Sequence, residues 1–219
     1  MTVLLEACVD DVAAATRAGE IGADRLELCA NLDSGGTTPV SQTITGTRRA
    51  SGVPLYVMIR PRPGDFQYTG DELGRMLRDI ARARKLGAGG VVLGALDRTA
   101  RLDREALARL LAAARPMAVT FHRAFDQVQD QLEALDTLCA LGVERVLTSG
   151  QAITAEAGIP RLKLLVARAA GRIGILAGGG IRAQNVARIV AETGVREIHL
   201  RAGPGAEWLS GVVRALRRR

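Results

Sequence analysis

Short apolar runs alternate with helical patterns along the whole chain, and the transitions between them repeat. Ile21-Gly22-Ala23 precedes Arg25-Leu26-Glu27-Leu28, and Leu86-Gly87-Ala88 precedes Val91-Val92-Leu93. Leu141-Gly142-Val143 precedes Val146-Leu147, and Thr193-Gly194-Val195 precedes Glu197-Ile198-His199-Leu200. Each glycine reads as the left-handed cap that ends a helix before a buried strand. Consecutive junctions lie roughly 50 to 65 residues apart, room for two strand-helix units each, so these four strands are the even-numbered ones of a repeat.

The intervening apolar runs supply the odd strands: Val3-Leu4-Leu5-Glu6, Leu55-Tyr56-Val57-Met58-Ile59, Met117 to Phe121, and Ile173-Gly174-Ile175-Leu176. Helical spacing fills the gaps, as in Leu132, Leu135, Leu138 and Leu141, or Leu73, Met76, Leu77 and Ile80 behind the capping-box pair Thr69 and Glu72. Eight such units in 219 residues predict a (β/α)8 TIM barrel of class α/β, with an open doubly wound sheet as the alternative. A hydrophobic fraction of 47% fills one core and no Pro- or Ser-rich linker divides the chain, so residues 1–219 are expected to form a single domain.

Composition narrows the function classes. A formal charge of +7 suggests nucleic acid, but lysine is confined to Lys85 and Lys163 and arginine is scattered over the helices. Aromatic residues make up 3%, too few for base-stacking platforms, and the one basic cluster, Arg214 with Arg217-Arg218-Arg219, closes the last helix as a solvated tail. No nucleic-acid partner is expected. No apolar stretch reaches membrane-spanning length, and three cysteines, Cys8, Cys29 and Cys139, are too few for a disulfide framework, so a reducing cytoplasmic setting is expected.

On a parallel barrel the C-terminal strand ends converge, and chemistry gathers there. In order, those ends carry Glu6 and Cys8, Glu27 and Cys29, Arg60 with Arg62 and Asp65, Asp97, His122 with Arg123 and Asp126, Thr148 with Ser149, Gly178-Gly179-Gly180, and His199 with Arg201. Glu6 and Glu27 interrupt apolar strands, where a carboxylate needs a cationic donor, and Arg60 is the expected partner. Asp126 is either a helix cap or a site residue. His122 can exchange protons beside Arg123 and Asp126, whereas His199 within Ile198-His199-Leu200 is equally a core histidine. The glycines Gly178, Gly179 and Gly180 are expected to open the next helix and to bring backbone N–H groups to an anion.

These residues carry a resemblance. Glu6-Ala7-Cys8-Val9, Gly22 to Cys29, Gly35-Gly36-Thr37-Thr38-Pro39, Ile59-Arg60-Pro61-Arg62, Thr120 to Asp126, Val146 to Gly150 and Gly178-Gly179-Gly180 with Asn185 are similar to the CutC-type copper homeostasis proteins, in the order that family has them. The resemblance implies a cytoplasmic TIM barrel, often a homo-oligomer, with a role in copper tolerance or Cu(I) handling. It departs after His199, where Arg201-Ala202-Gly203-Pro204-Gly205 leads quickly into a closing helix carrying Trp208, Leu209, Val212, Val213 and Leu216.

Two functions follow. Cu(I) is soft and prefers thiolates, and Cys8 and Cys29, past adjacent strands, are its candidate ligands. Alternatively the barrel is a metal-independent enzyme for a small anionic metabolite, phosphorylated or not. Then Glu27, Arg60 and His122 are the catalytic candidates, and Arg123, Thr148, Ser149, Gly178, Gly179 and Gly180 the anion-binding ones.

Overall fold

A computed structural model describes residues 2–203 and 206–217. Eight strands alternate with eight helices: β1 (Leu4–Val9), α1 (Val12–Ile21), β2 (Arg25–Leu28), α2 (Ser41–Ala50), β3 (Leu55–Met58), α3 (Gly70–Lys85), β4 (Gly90–Leu93) and α4 (Arg104–Ala114). β5 (Ala118–Phe121), α5 (Gln131–Ala140), β6 (Arg145–Thr148), α6 (Ile159–Ala169), β7 (Gly174–Gly178), α7 (Val186–Thr193), β8 (Glu197–Arg201) and α8 (Glu207–Arg217) complete the order. Every strand pairs in parallel with its chain neighbour, and β8 closes on β1 with Glu6 opposite His199 and Cys8 opposite Arg201. The closed ring excludes the doubly wound alternative.

The expected glycine caps form. Gly22 adopts φ 105° and its N–H bonds the Ala18 carbonyl, a left-handed turn that a side chain would strain. Thr69 and Glu72 make the reciprocal capping box of α3. Asp126, by contrast, does not cap α5, because Asp130 accepts from the N–H groups of Leu132 and Glu133 in that position.

Strand alternation sorts side chains into two populations. Ala7, Leu26, Val57, Val91, Val119, Val146, Ala177 and Ile198 join the large core shared with the helices. Residues of opposite parity enter the barrel, where Cys8, Cys29, Tyr56, Met58 and Val92 form a separate cluster. Trp208 packs against the outer core, stacked under the Arg182 guanidinium at 4.1 Å. Arg214 and Arg217 lie in the last turn of α8, where cations complement the helix dipole. Arg218, Arg219, Pro204 and Gly205 lie outside the described residues. No described helix is long and apolar enough to cross a membrane.

Candidate functional site

The barrel interior is stacked in charged layers. At its N-terminal end Arg25 is held between Glu6, through Nε, and Glu197, whose Oε2 lies 2.5 Å from Nη2. Arg145 approaches the same Glu197 oxygen at 3.4 Å. The Tyr56 ring lies beside both guanidinium groups, 5.1 Å from Arg25 and 5.0 Å from Arg145. Arg25, not Arg60, therefore neutralises the glutamate of β1, which corrects the expected pairing. Arg25 shares the inward parity of Glu27 on β2, whereas Arg60 lies beyond the end of β3.

Above this layer His199 bridges the two glutamates. Its Nδ1 lies 2.8 Å from Glu6 Oε1 and its Nε2 3.4 Å from Glu27 Oε2. Burial raises the carboxyl pKa of Glu6, but hydrogen bonding and charge from His199 and Arg25 outweigh it and hold the group at about 2. Burial likewise opposes a charged His199, yet Glu27, Cys8 and Glu6 together raise its pKa well above the usual imidazole range. Glu27 is raised, chiefly by burial.

The two candidate thiols meet here. Cys8 Sγ and Cys29 Sγ are 3.9 Å apart, and both residues are buried. Cys8 is pushed far up by its bond to Cys29 and by burial. Cys29 is lowered by the bond to Cys8, but burial and the charges of Glu27 and Glu6 dominate and take it to about 11. Donor atoms of Cys8, Glu27 and His199 all lie within 4.8 Å of one another, a span that one metal ion can bridge. Cys139 sits apart on α5, half-buried.

His122, Arg60, Arg123 and Arg201 form the outer wall of the mouth around a cavity of about 200 Å³, which reaches down to Cys8, Cys29, Glu27 and His199. A larger cleft of about 460 Å³, bordered by Asp97, Leu102, Val128 and Glu133, includes none of these residues. His122 Nδ1 accepts the Ala124 N–H at 3.2 Å. Burial, reinforced by the Arg60 charge, lowers its pKa to about 3, which favours the neutral imidazole. Arg60 spends its Nη groups on loop carbonyls, with Gly35 at 3.1 Å, Gly36 at 3.0 Å and Gly64 at 2.8 Å.

The remaining anion-site candidates are partly committed to the protein itself. Thr148 Oγ1 donates to Asp126 at 2.5 Å and accepts the Gly150 N–H at 2.8 Å. Ser149 Oγ donates to the Ala152 carbonyl at 2.6 Å and accepts from Arg123 Nη2 at 2.8 Å. Asp126 thus organises the turn after β6. Gly178 lies inside the barrel, where a Cβ would meet Leu147 at 2.6 Å. Gly179 and Gly180 have φ of 105° and 69°, but the turn does not open α7 directly, as Arg182 and Asn185 intervene and Asn185 Nδ2 binds the Gly180 carbonyl at 2.9 Å.

The model of the "CutC family" matches residues 3–204. The chain belongs to the CutC family. A CutC family protein of Pasteurella multocida (strain Pm70) is 48% identical over 196 residues, 90% of this chain and 80% of the relative. The human copper homeostasis protein cutC homolog is 47% identical over 199 residues, 91% of this chain and 73% of its own. A crystal structure under the copper homeostasis name CutC, from Streptococcus agalactiae, superposes with a TM-score of 0.87 at 38% identity, covering 90% of this chain and 98% of that one. Thiamine phosphate pyrophosphorylase from Pyrococcus furiosus, at TM-score 0.66 and 18% identity over 99% of this chain and 94% of its own, shares the barrel fold alone.

Sequence reasoning placed Cys8, Glu27, Cys29, Arg60, His122 and Arg123 at one mouth, and the cavity wall contains all six. It left His199 open and passed over Arg25, Tyr56, Arg145 and Glu197. The available signal was parity: Arg25 and Glu27 alternate with Leu26 and Leu28, and Glu197 and His199 with Ile198 and Leu200, so both strands set charge against apolar residues.

Proposed function

We propose that this CutC protein binds Cu(I) through Cys8 and Cys29, with His199 Nε2 as third ligand, as part of cytoplasmic copper handling. The observation that carries this is the 3.9 Å approach of the two sulfurs. Thiolates bound trigonally to one ion at about 2.3 Å lie about 4.0 Å apart. Soft sulfur with imidazole suits Cu(I). The Glu6 carboxylate at Nδ1 supplies the outer-shell bond that orients a metal-ligating imidazole and leaves Nε2 for the ion. Because both thiols and the His199 imidazole hold their protons strongly, the metal has to displace a proton from each ligand it takes, and loading is coupled to proton release. The three free cysteines accord with a reducing compartment.

Competitive Cu(I) titration tests the reading. Cys8→Ala and Cys29→Ala are each expected to weaken binding at least about 100-fold and Cys139→Ala to leave it unchanged, in line with thiolate dominance for this ion. Undiminished affinity in the Cys8→Ala/Cys29→Ala double variant overturns the assignment.

A further inference from the structure

The mouth above the thiols has more chemistry than metal binding uses. Arg60 is 5% exposed and has no carboxylate partner among the described residues; its Nη groups meet only carbonyls, and its Nε has no partner. Since Nδ1 of His122 is an acceptor, its proton is on Nε2, and that donor is also unpartnered. On the opposite side of the chemistry, Glu27 Oε1 is an acceptor without a donor. These three residues, each nine-tenths or more buried, belong to the wall of one cavity. Unpaired buried polar atoms cost desolvation free energy and mark places where a further group completes the bonding.

Charge and size define that group. Arg60, Arg123 and Arg201 line the cavity against a single carboxylate, Glu27. Arg123 and Arg201 are paired with Asp126 and Asp33 but are 43% and 46% exposed, so each still presents N–H donors at the rim. The Phe66 ring, 4.9 Å from the Arg60 guanidinium and 4.7 Å from the His122 ring, gives one apolar wall. A cavity of about 200 Å³ suits an occupant of a few carbons with one anionic group.

We propose that this cavity binds a small hydroxylated organic anion. Its charged oxygens face Arg60 and the rim arginines, a further oxygen accepts from His122 Nε2–H, and its hydroxyl donates to Glu27 Oε1. The three unpartnered atoms are shielded from solvent, so the ligand displaces part of the wall as it seats, and Met58 is the wall side chain best able to yield. The inference does not rest on the copper reading, since none of its contacts passes through a sulfur.

Isothermal titration of the metal-free full chain with glycolate, glycerol 3-phosphate and glycerol tests it, the first two arms separating carboxylate from phosphate. One or both anions are expected to bind saturably at millimolar concentration or below, with glycerol at least about ten-fold weaker, as charge-assisted bonds require. His122→Asn and Arg60→Met are each expected to weaken binding about ten-fold or more, and Arg201→Gln about three-fold. Arg201 is half-exposed and pairs with exposed Asp33, so Arg201→Gln keeps the test valid if Arg60→Met fails to fold. The proposal is overturned if neither anion binds, if glycerol binds equally, or if the arginine and His122 variants bind like wild type.

Discussion

Glu6 and His199, 193 positions apart in the chain, face each other across the β1–β8 seam, and the carboxylate holds Nδ1 of the imidazole at 2.8 Å. One bond thereby links the charged lower half of the barrel to the thiols, since Glu6 also binds Arg25. Replacing it with the neutral isostere Glu6→Gln keeps the shape and removes the charge. Cu(I) affinity in competitive titration is expected to fall about 10–100-fold, the usual cost of losing an outer-shell partner.

Arg25 is 4% exposed and flanked by Glu6 and Glu197. Arg25→Met leaves two carboxylates in an enclosed space, and breaking such a buried pair costs about 3–5 kcal/mol. Urea denaturation of the variant is expected to show that loss. A change below about 1 kcal/mol, the range of exposed pairs, contradicts a central role for the network.

His122 gives a pH signature. Its imidazole titrates near 3 in the folded chain, against about 6.5 when exposed, so between these values the unfolded chain binds the extra proton. Stability from this group is complete above pH 6.5 and declines as the pH falls. About 2 kcal/mol is lost by pH 5 relative to pH 7, as an upper bound from 1.36 kcal/mol per unit. The wild-type chain is expected to lose more stability over that range than His122→Asn, by chemical denaturation at each pH. A parallel pair of profiles refutes the neutral assignment.

Glycine at position 90 makes room for Tyr56. A Cβ there would meet the Tyr56 ring at 2.2–2.6 Å, displacing it from its contacts with Arg25 and Arg145. Gly90→Ala is expected to destabilise by about 1–3 kcal/mol, the typical cost of overpacking. Gly52→Ala, where nothing lies within 4 Å, is expected to be neutral or slightly stabilising, and thermal melts of the pair make the comparison.

The fold was legible because a parallel barrel repeats its own grammar. The junction glycines at 22, 87, 142 and 194 marked helix ends, and β-rich apolar runs marked strands, with boundaries displaced by a residue or two, as at β7, which runs on to Gly178. The convergence of strand ends then brought Cys8, Glu27, Cys29 and His122 to one cavity wall. What parity cannot give is which charged side chain meets which across the ring, because that depends on strand stagger. Arg60 was therefore matched to the glutamates by proximity in sequence pattern, although its Nη groups bind the loop carbonyls of Gly35, Gly36 and Gly64. The protonation of His122 was hidden for the same reason, since the Ala124 N–H and the enclosing wall appear only after folding.

The seam between the first strand and the last has a bearing on biosynthesis. Cys8 and Cys29 are synthesised early, yet the His199 imidazole that completes their surroundings follows 170 positions after Cys29. Ribosome-bound intermediates therefore offer the two thiols without the finished chamber until His199 has emerged and β8 has paired with β1.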